Sequence, residues 1–142
     1  MATSTTTTGG CACGAIRYEA STDPVMMFNC HCSDCQHVSG GAGASVAVFA
    51  ADAFRIVRGT PRYHVVVAAS GGRHKRGFCA DCGSRLTGGE NPEGTSGIVG
   101  VTAASLDDPT LFRPTMDIFT ASAQPWARMD LSLPKFEQMP PG

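Results

Sequence analysis

Residues 28–36 read FNCHCSDCQ, and three cysteines, Cys30, Cys32 and Cys35, fall within this short stretch of a chain that holds only seven. No disulfide scheme uses an odd number of thiols completely. The other four lie in two short groups, Cys11 and Cys13 as C-x-C and Cys79 and Cys82 as C-x2-C. Such spacings are those of metal ligands, because a C-x2-C turn or tight C-x-C brings sulfurs to within a few ångströms and zinc holds each about 2.3 Å away. Glycine follows the last cysteine in the outer groups (Gly14, Gly83), which lets the chain turn so that backbone N–H groups face the sulfurs.

A closed structural zinc site takes four thiolates, and Cys11, Cys13, Cys79 and Cys82 supply them. It would tie the first strand to a loop far along the chain, and the metal's binding energy would become folding energy. Three ligands remain. Cys30, Cys32 and Cys35 leave one position of a tetrahedral ion open, as catalytic zinc requires. The competing assignment is a zinc ribbon of Cys32, Cys35, Cys79 and Cys82. Its intervening stretch, residues 36–78, exceeds the roughly 15–20 residues usual for a ribbon, and it leaves Cys11, Cys13 and Cys30 idle. As small buried hydrophobes the cysteines would have no reason to cluster.

The rest of the chain agrees with one small domain. It has 142 residues, 42% hydrophobic, 16% charged, with a formal net charge of −1, so neither nucleic acid nor an anionic membrane is expected as a partner. The opening MATSTTTTGG has no basic or apolar signal region, and no apolar run reaches the roughly 20 residues of a membrane span. A cytoplasmic location is expected, where thiols stay reduced and clustered cysteines point to metal or catalysis. Residues 1–9 and 138–142 are expected to be flexible tails around one domain at 10–137.

Short β-like segments separated by Gly, Pro, Asp and Ser give an all-β fold class. The predicted strands are Ala15–Ala20, Val25–Phe28, Ser45–Ala50, Phe54–Val57, Arg62–Ala69, Gly97–Ala103 and Met116–Ala121, each rich in β-branched or aromatic residues. A single helical turn is predicted over Ser33–Val38, stopped by Gly40 and Gly41.

Five stretches together resemble a known family: GGCACGAIRYEA (9–20), NCHCSDCQHVSGG (29–41), KRGFCADCGSRL (75–86), VTAASLDDP (101–109) and IFTASAQPW (118–126). The sequence is similar to the glutathione-dependent formaldehyde-activating enzymes and their relatives, which include centromere protein V, from Gly9 to about Phe136. The resemblance implies a β-tent of small coiled sheets, a structural zinc on Cys11, Cys13, Cys79 and Cys82, and a labile or catalytic zinc on Cys30, Cys32 and Cys35. The implied activity is a carbon–sulfur lyase type, condensing formaldehyde with glutathione to S-(hydroxymethyl)glutathione. Many relatives carry histidine where this chain has Asp117.

Around the three-cysteine turn, His37 and Ser39 are candidate proton donors, and Arg73 and Arg76 are candidates for the carboxylates of a thiol substrate such as glutathione. The simpler reading of Arg73–Arg76 is a solvated loop. His31 is read as directed away from the metal, Trp126 and Phe119 as packing residues, and Leu106–Pro109 as a turn with aspartates capping backbone N–H groups. A zinc deaminase is excluded because no histidine has glutamate two residues on. A sulfoxide-reductase-like enzyme would need a free redox cysteine, and metal spacing claims all seven. The remaining alternative is a zinc-stabilised β module that binds a protein partner and has no catalytic role.

Overall fold

The structure, a computed structural model, describes residues 6–68 and 71–141. It is mainly β, as the sequence predicts, in two sheets. The smaller joins β1 (Thr7–Gly10), β2 (Arg17–Ala20) and β5 (Phe54–Arg58) in the order β1-β2-β5. The larger contains β3 (Met26–Cys30), β4 (Ala44–Ala50), β6 (Arg62–Val67), β7 (Arg73–Phe78), β8 (Arg85–Glu90), β9 (Ile98–Thr102) and β10 (Asp117–Ile118). Its order is β10-β3-β4-β9-β8-β7-β6, antiparallel except for the short parallel pair of β10 with β3.

The helical turn forms as α1 (Ser33–Ser39). Cys32 caps it by accepting the Cys35 N–H on its sulfur at 3.3 Å, and Gly40 ends it with φ 71°, returning its N–H to Gln36 O at 2.9 Å.

Each predicted strand has a counterpart, but three strands were not predicted: β1, β7 and β8. Residues 7–9 therefore belong to a sheet and not to an N-terminal tail. Gly9 makes this possible, since a Cβ there would lie 2.3 Å from the Tyr18 hydroxyl. Tyr18 is fully buried, with its hydroxyl 2.6 Å from Ser105 Oγ and its pKa pushed up by burial to about 12. At the other end Gln138 O accepts the Phe119 N–H at 3.2 Å, so the C-terminal segment is tied to the domain through residue 138.

The basic run Arg73–Arg76 is part of β7 and not a loop, because β6 and β8 satisfy its backbone on both sides. The segment expected over Met116–Ala121 is strand only at Asp117–Ile118. Phe119 takes a left-handed conformation (φ 54°) and sends the chain into a 3-10 turn at Thr120–Ser122. Ala69, the predicted end of β6, lies outside the described residues.

Two apolar clusters fill the fold. The larger combines Ile16, Tyr18, Ala47, Phe49, Leu86, Val101 and Leu106 with Cys11 and Cys79; the smaller combines Ala44 and Ile118 with Cys30 and Cys35. Each core thus ends at a cysteine group. Leu86 has no exposed surface at the centre of the larger cluster. Leu86→Ala is expected to cost about 2–5 kcal/mol in urea unfolding at unchanged m value; a loss below about 1 kcal/mol would contradict this packing.

Candidate metal centres and substrate site

The β1–β2 turn holds Cys11 and Cys13. Cys11 N–H donates to Ile16 O at 3.1 Å, Gly14 N–H donates back to Cys11 O at 3.1 Å, and Ile16 N–H reaches Cys11 Sγ at 3.2 Å. The β7–β8 turn repeats the device, with Cys79 N–H on Ser84 O at 2.9 Å and Gly83 N–H on Cys79 O at 2.8 Å. Ser84 Oγ accepts the Ala12 N–H at 3.0 Å and joins the two turns.

All four sulfurs lie within 4.8 Å of one another. Cys11 Sγ is 3.6 Å from Cys13 Sγ, which is 3.7 Å from Cys79 Sγ. Thiolates at the corners of a tetrahedron about 2.3 Å from zinc sit about 3.8 Å apart, so the spacing fits.

The donor chemistry fits as well. Cys82 is drawn down to about 5 by the Ser84 hydroxyl and the N–H groups of Ser84 and Cys13. Cys13, despite an N–H from Ala15 that favours its thiolate, is pushed up to about 12, mainly by Cys11. Four thiolates this close need a cation among them.

The second group is local. Cys30 ends β3, Cys32 caps α1 and Cys35 lies in its first turn, and their three sulfurs also lie within 4.8 Å of one another. Cys30 and Cys35 are buried, while Cys32 is half-buried. Cys30 is driven strongly up by the sulfurs of Cys32 and Cys35, whereas Cys32 is drawn down by hydrogen bonds from Cys30 and Cys35, with help from the Arg76 charge.

The turn is held by a buried network. His31 N–H donates to Ile118 O at 3.0 Å, and its ring Nε2 lies 3.0 Å from Asp117 Oδ1. Lys135 Nζ donates to Asp117 Oδ2 at 2.9 Å. Asp117 stays below the usual carboxylate range: burial opposes its ionisation, but His31 and Lys135 outweigh it. Gln36 Nε2 adds bonds to His31 O at 2.8 Å and Ser122 O at 2.9 Å. Asp117 thus joins β3, through His31, to the C-terminal segment, through Lys135, while His31 Nδ1 is buried with no hydrogen-bond partner.

Arg76 is buried and Arg85 half-buried; burial holds the Arg85 guanidinium below its ordinary range, the Arg76 charge adds to this, and the thiols of Cys35, Cys30 and Cys32 oppose it. A cavity of about 260 Å³ is lined by Arg85, Ser39, Gly43, Ser45 and Thr102. Ser39 is therefore at the cavity, bonded to Gln36 O and Gly41 N–H. His37 is exposed, with Nδ1 3.2 Å from Ser33 O of its own helix. Arg73 is exposed and ion-paired with Glu93.

Trp126 is 60% exposed and not a packing residue, while Phe119 packs on the smaller core. Asp108 accepts the Thr110 N–H as a capping residue, but Asp107 pairs with Arg17 and Thr8 instead. Arg85 and Lys135 were missed by sequence reasoning. No spacing marks either, although an arginine directly after C-G-S offered a weak signal.

Two sheets meeting at paired cysteine turns, with a separate three-thiol turn at the end of β3, define a protein of mainly β architecture with two cysteine groups that could hold metal. The sequence model described as glutathione-dependent formaldehyde-activating enzyme matches residues 6–122, and the chain belongs to that family. A crystal structure described as that of a Rhodobacter sphaeroides protein superimposes with a TM-score of 0.54 at 22% identity, covering 91% of this chain and 98% of that one, a likeness of fold. No curated protein matches the chain. Among the described residues no helix is long and apolar enough to cross a membrane.

Replacing Asp117 leaves a buried imidazole and a lysine without their shared acceptor. Asp117→Ala is expected to cost about 1–3 kcal/mol in denaturant unfolding. A variant within about 0.5 kcal/mol of the parent would show that the network does not hold the turn.

Proposed function

We propose that the protein adds a small thiol, glutathione or a similar compound, to formaldehyde or another small aldehyde, as a zinc-dependent carbon–sulfur lyase-type enzyme. The observation that carries the reading is the unequal pair of cysteine groups. Four sulfurs from two distant turns lie within 4.8 Å of one another, enough donors for a closed site, whereas one turn gathers only three, Cys32 among them half-buried, and supplies no fourth sulfur. Family membership supports the formaldehyde and glutathione chemistry.

In this reading Cys11, Cys13, Cys79 and Cys82 hold a structural zinc, and Cys30, Cys32 and Cys35 hold a catalytic or labile one. Zinc held there supplies positive charge and a coordination position that favour the thiolate form of an incoming thiol at neutral pH.

The chain's own groups do the rest. The His31, Asp117 and Gln36 contacts keep the three sulfurs in place, and the Arg76 charge favours negative charge beside Cys32 and Cys35. In the reaction the S–C bond forms as the carbonyl π pair moves to oxygen. The sulfur gives up its proton and the new alkoxide gains one, so no oxidant is needed. Ser39, on the cavity wall, is one proton-donor candidate, and His37, exposed on α1, is the other. Of the two arginines expected at substrate carboxylates, Arg76 keeps that role, while Arg73 is engaged with Glu93.

Two variants separate the roles. Cys32→Ser keeps an oxygen that can cap α1, so it is expected to stay folded and to lose about 100-fold or more of the adduct formation measured above the spontaneous rate. Cys79→Ala is expected to lose its cooperative thermal transition and aggregate. Full activity in the first would remove the three-cysteine site from the reaction. A stable second would show that the ligand sets are paired wrongly.

A further inference from the structure

The two ends of the seven-stranded sheet are finished differently. At the β10 end the chain covers its own edge: Asp117 N–H donates to Pro134 O at 3.0 Å, and Phe136 N–H donates to Asp117 O at 2.9 Å. At the other end β6 pairs with β7 along its whole length, and among the described residues nothing pairs with its outer side. In the smaller sheet, β1 is tied to the chain after β9 by the Asp107 N–H on Thr8 O at 2.9 Å. There β5 carries Arg55 and Arg58, charges that discourage strand addition.

These protections are missing from β6. It reads RYHVVV, with its arginine at the first residue and no proline or register shift inside it. Alternation along the strand puts Tyr63, Val65 and Val67 on one face, at 41%, 46% and 68% exposure. Backbone donors and acceptors along such an edge are satisfied by a further strand, and a row of β-branched and aromatic side chains favours one.

A second copy of the same strand fits this edge. Set antiparallel about a two-fold axis at Val65, each Val65 faces the other, Tyr63 faces Val67 of the second copy, and Arg62 faces its Ala68. Apolar residues meet apolar ones. The two Arg62 positions fall about 20 Å apart along the ladder, well beyond a screening length of roughly 8 Å. The charges behind the strand already have partners: Arg73 is ion-paired with Glu93, and Lys75 stands opposite Glu90 with its Nζ 4.5 Å from the centre of the Tyr63 ring. An acidic partner strand would find these cations engaged. A net charge of −1 leaves little repulsion between two copies of the chain.

We infer that β6 is an interaction edge, at which two copies of this chain pair their β6 strands antiparallel with Val65 at the two-fold axis, joining two seven-stranded sheets into one. One strand per copy is a small contact, so the dimer is expected to form in the micromolar range and to exchange.

Sedimentation of the full chain over a concentration series through the micromolar range tests this, and a monomer–dimer equilibrium is expected. Val65→Lys and Val65→Glu each set like charges against one another across the axis. Each is expected to weaken association about a hundredfold or more, while an equimolar mixture of the two regains the dimer. Hydrogen exchange of the unmodified protein gives a reading that needs no variant, since residues 62–67 are expected to gain protection as concentration rises. A chain that stays monomeric throughout overturns the proposal, as does a dimer that survives both substitutions. So does a mixture of the folded variants that fails to reassociate, or exchange at residues 62–67 that ignores concentration.

Discussion

The fold depends on the convergence of two turns, Cys11–Ile16 between β1 and β2 and Cys79–Ser84 between β7 and β8. One belongs to the three-stranded sheet and the other to the seven-stranded sheet, so the four sulfurs link the two layers where the larger core ends. Backbone N–H groups face the sulfurs of Cys11 and Cys82, and these contacts favour thiolates. Thiolates so close repel unless a cation lies among them, so in the proposed reading metal binding and sheet assembly are one equilibrium. A chain with 17 glycines and 9 prolines, whose only α-helix among the described residues is α1, has need of such a link.

The second cysteine group is built on different terms. Its sulfurs come from one turn, so a metal bound there would close no long loop, and beside the Cys35 N–H on Cys32 Sγ the group feels the charges of Arg76 and Arg85. The Asp117 network orients this turn from below through His31, with Lys135 bringing in the C-terminal segment.

How much of this was legible in the sequence follows from how local each feature is. The cysteine groups and α1 are encoded within a few residues, and both were readable, down to the Gly40 stop. β4 and β9 carry branched apolar residues and read as strands, whereas RHKRGF of β7 and RLTGGE of β8 do not, because their pairing partners and not their own pattern place them in the sheet. β1 was hidden for a similar reason, a glycine standing where the Tyr18 ring needs room. The contacts that matter most at the site join residues far apart in the chain: His31 with Asp117, Asp117 with Lys135, and Gln36 with Ser122. No periodicity connects such positions.

The central claim is that one cysteine group is a closed metal site and the other an open one. Native mass spectrometry of gently purified protein, taken through a stepwise chelator titration and followed by circular dichroism, tests it directly. The account predicts two zinc ions per chain, the first leaving under mild chelation with the β signal unchanged and the second leaving only as the fold is lost. A single tightly held zinc, or two that leave together without unfolding, would contradict it.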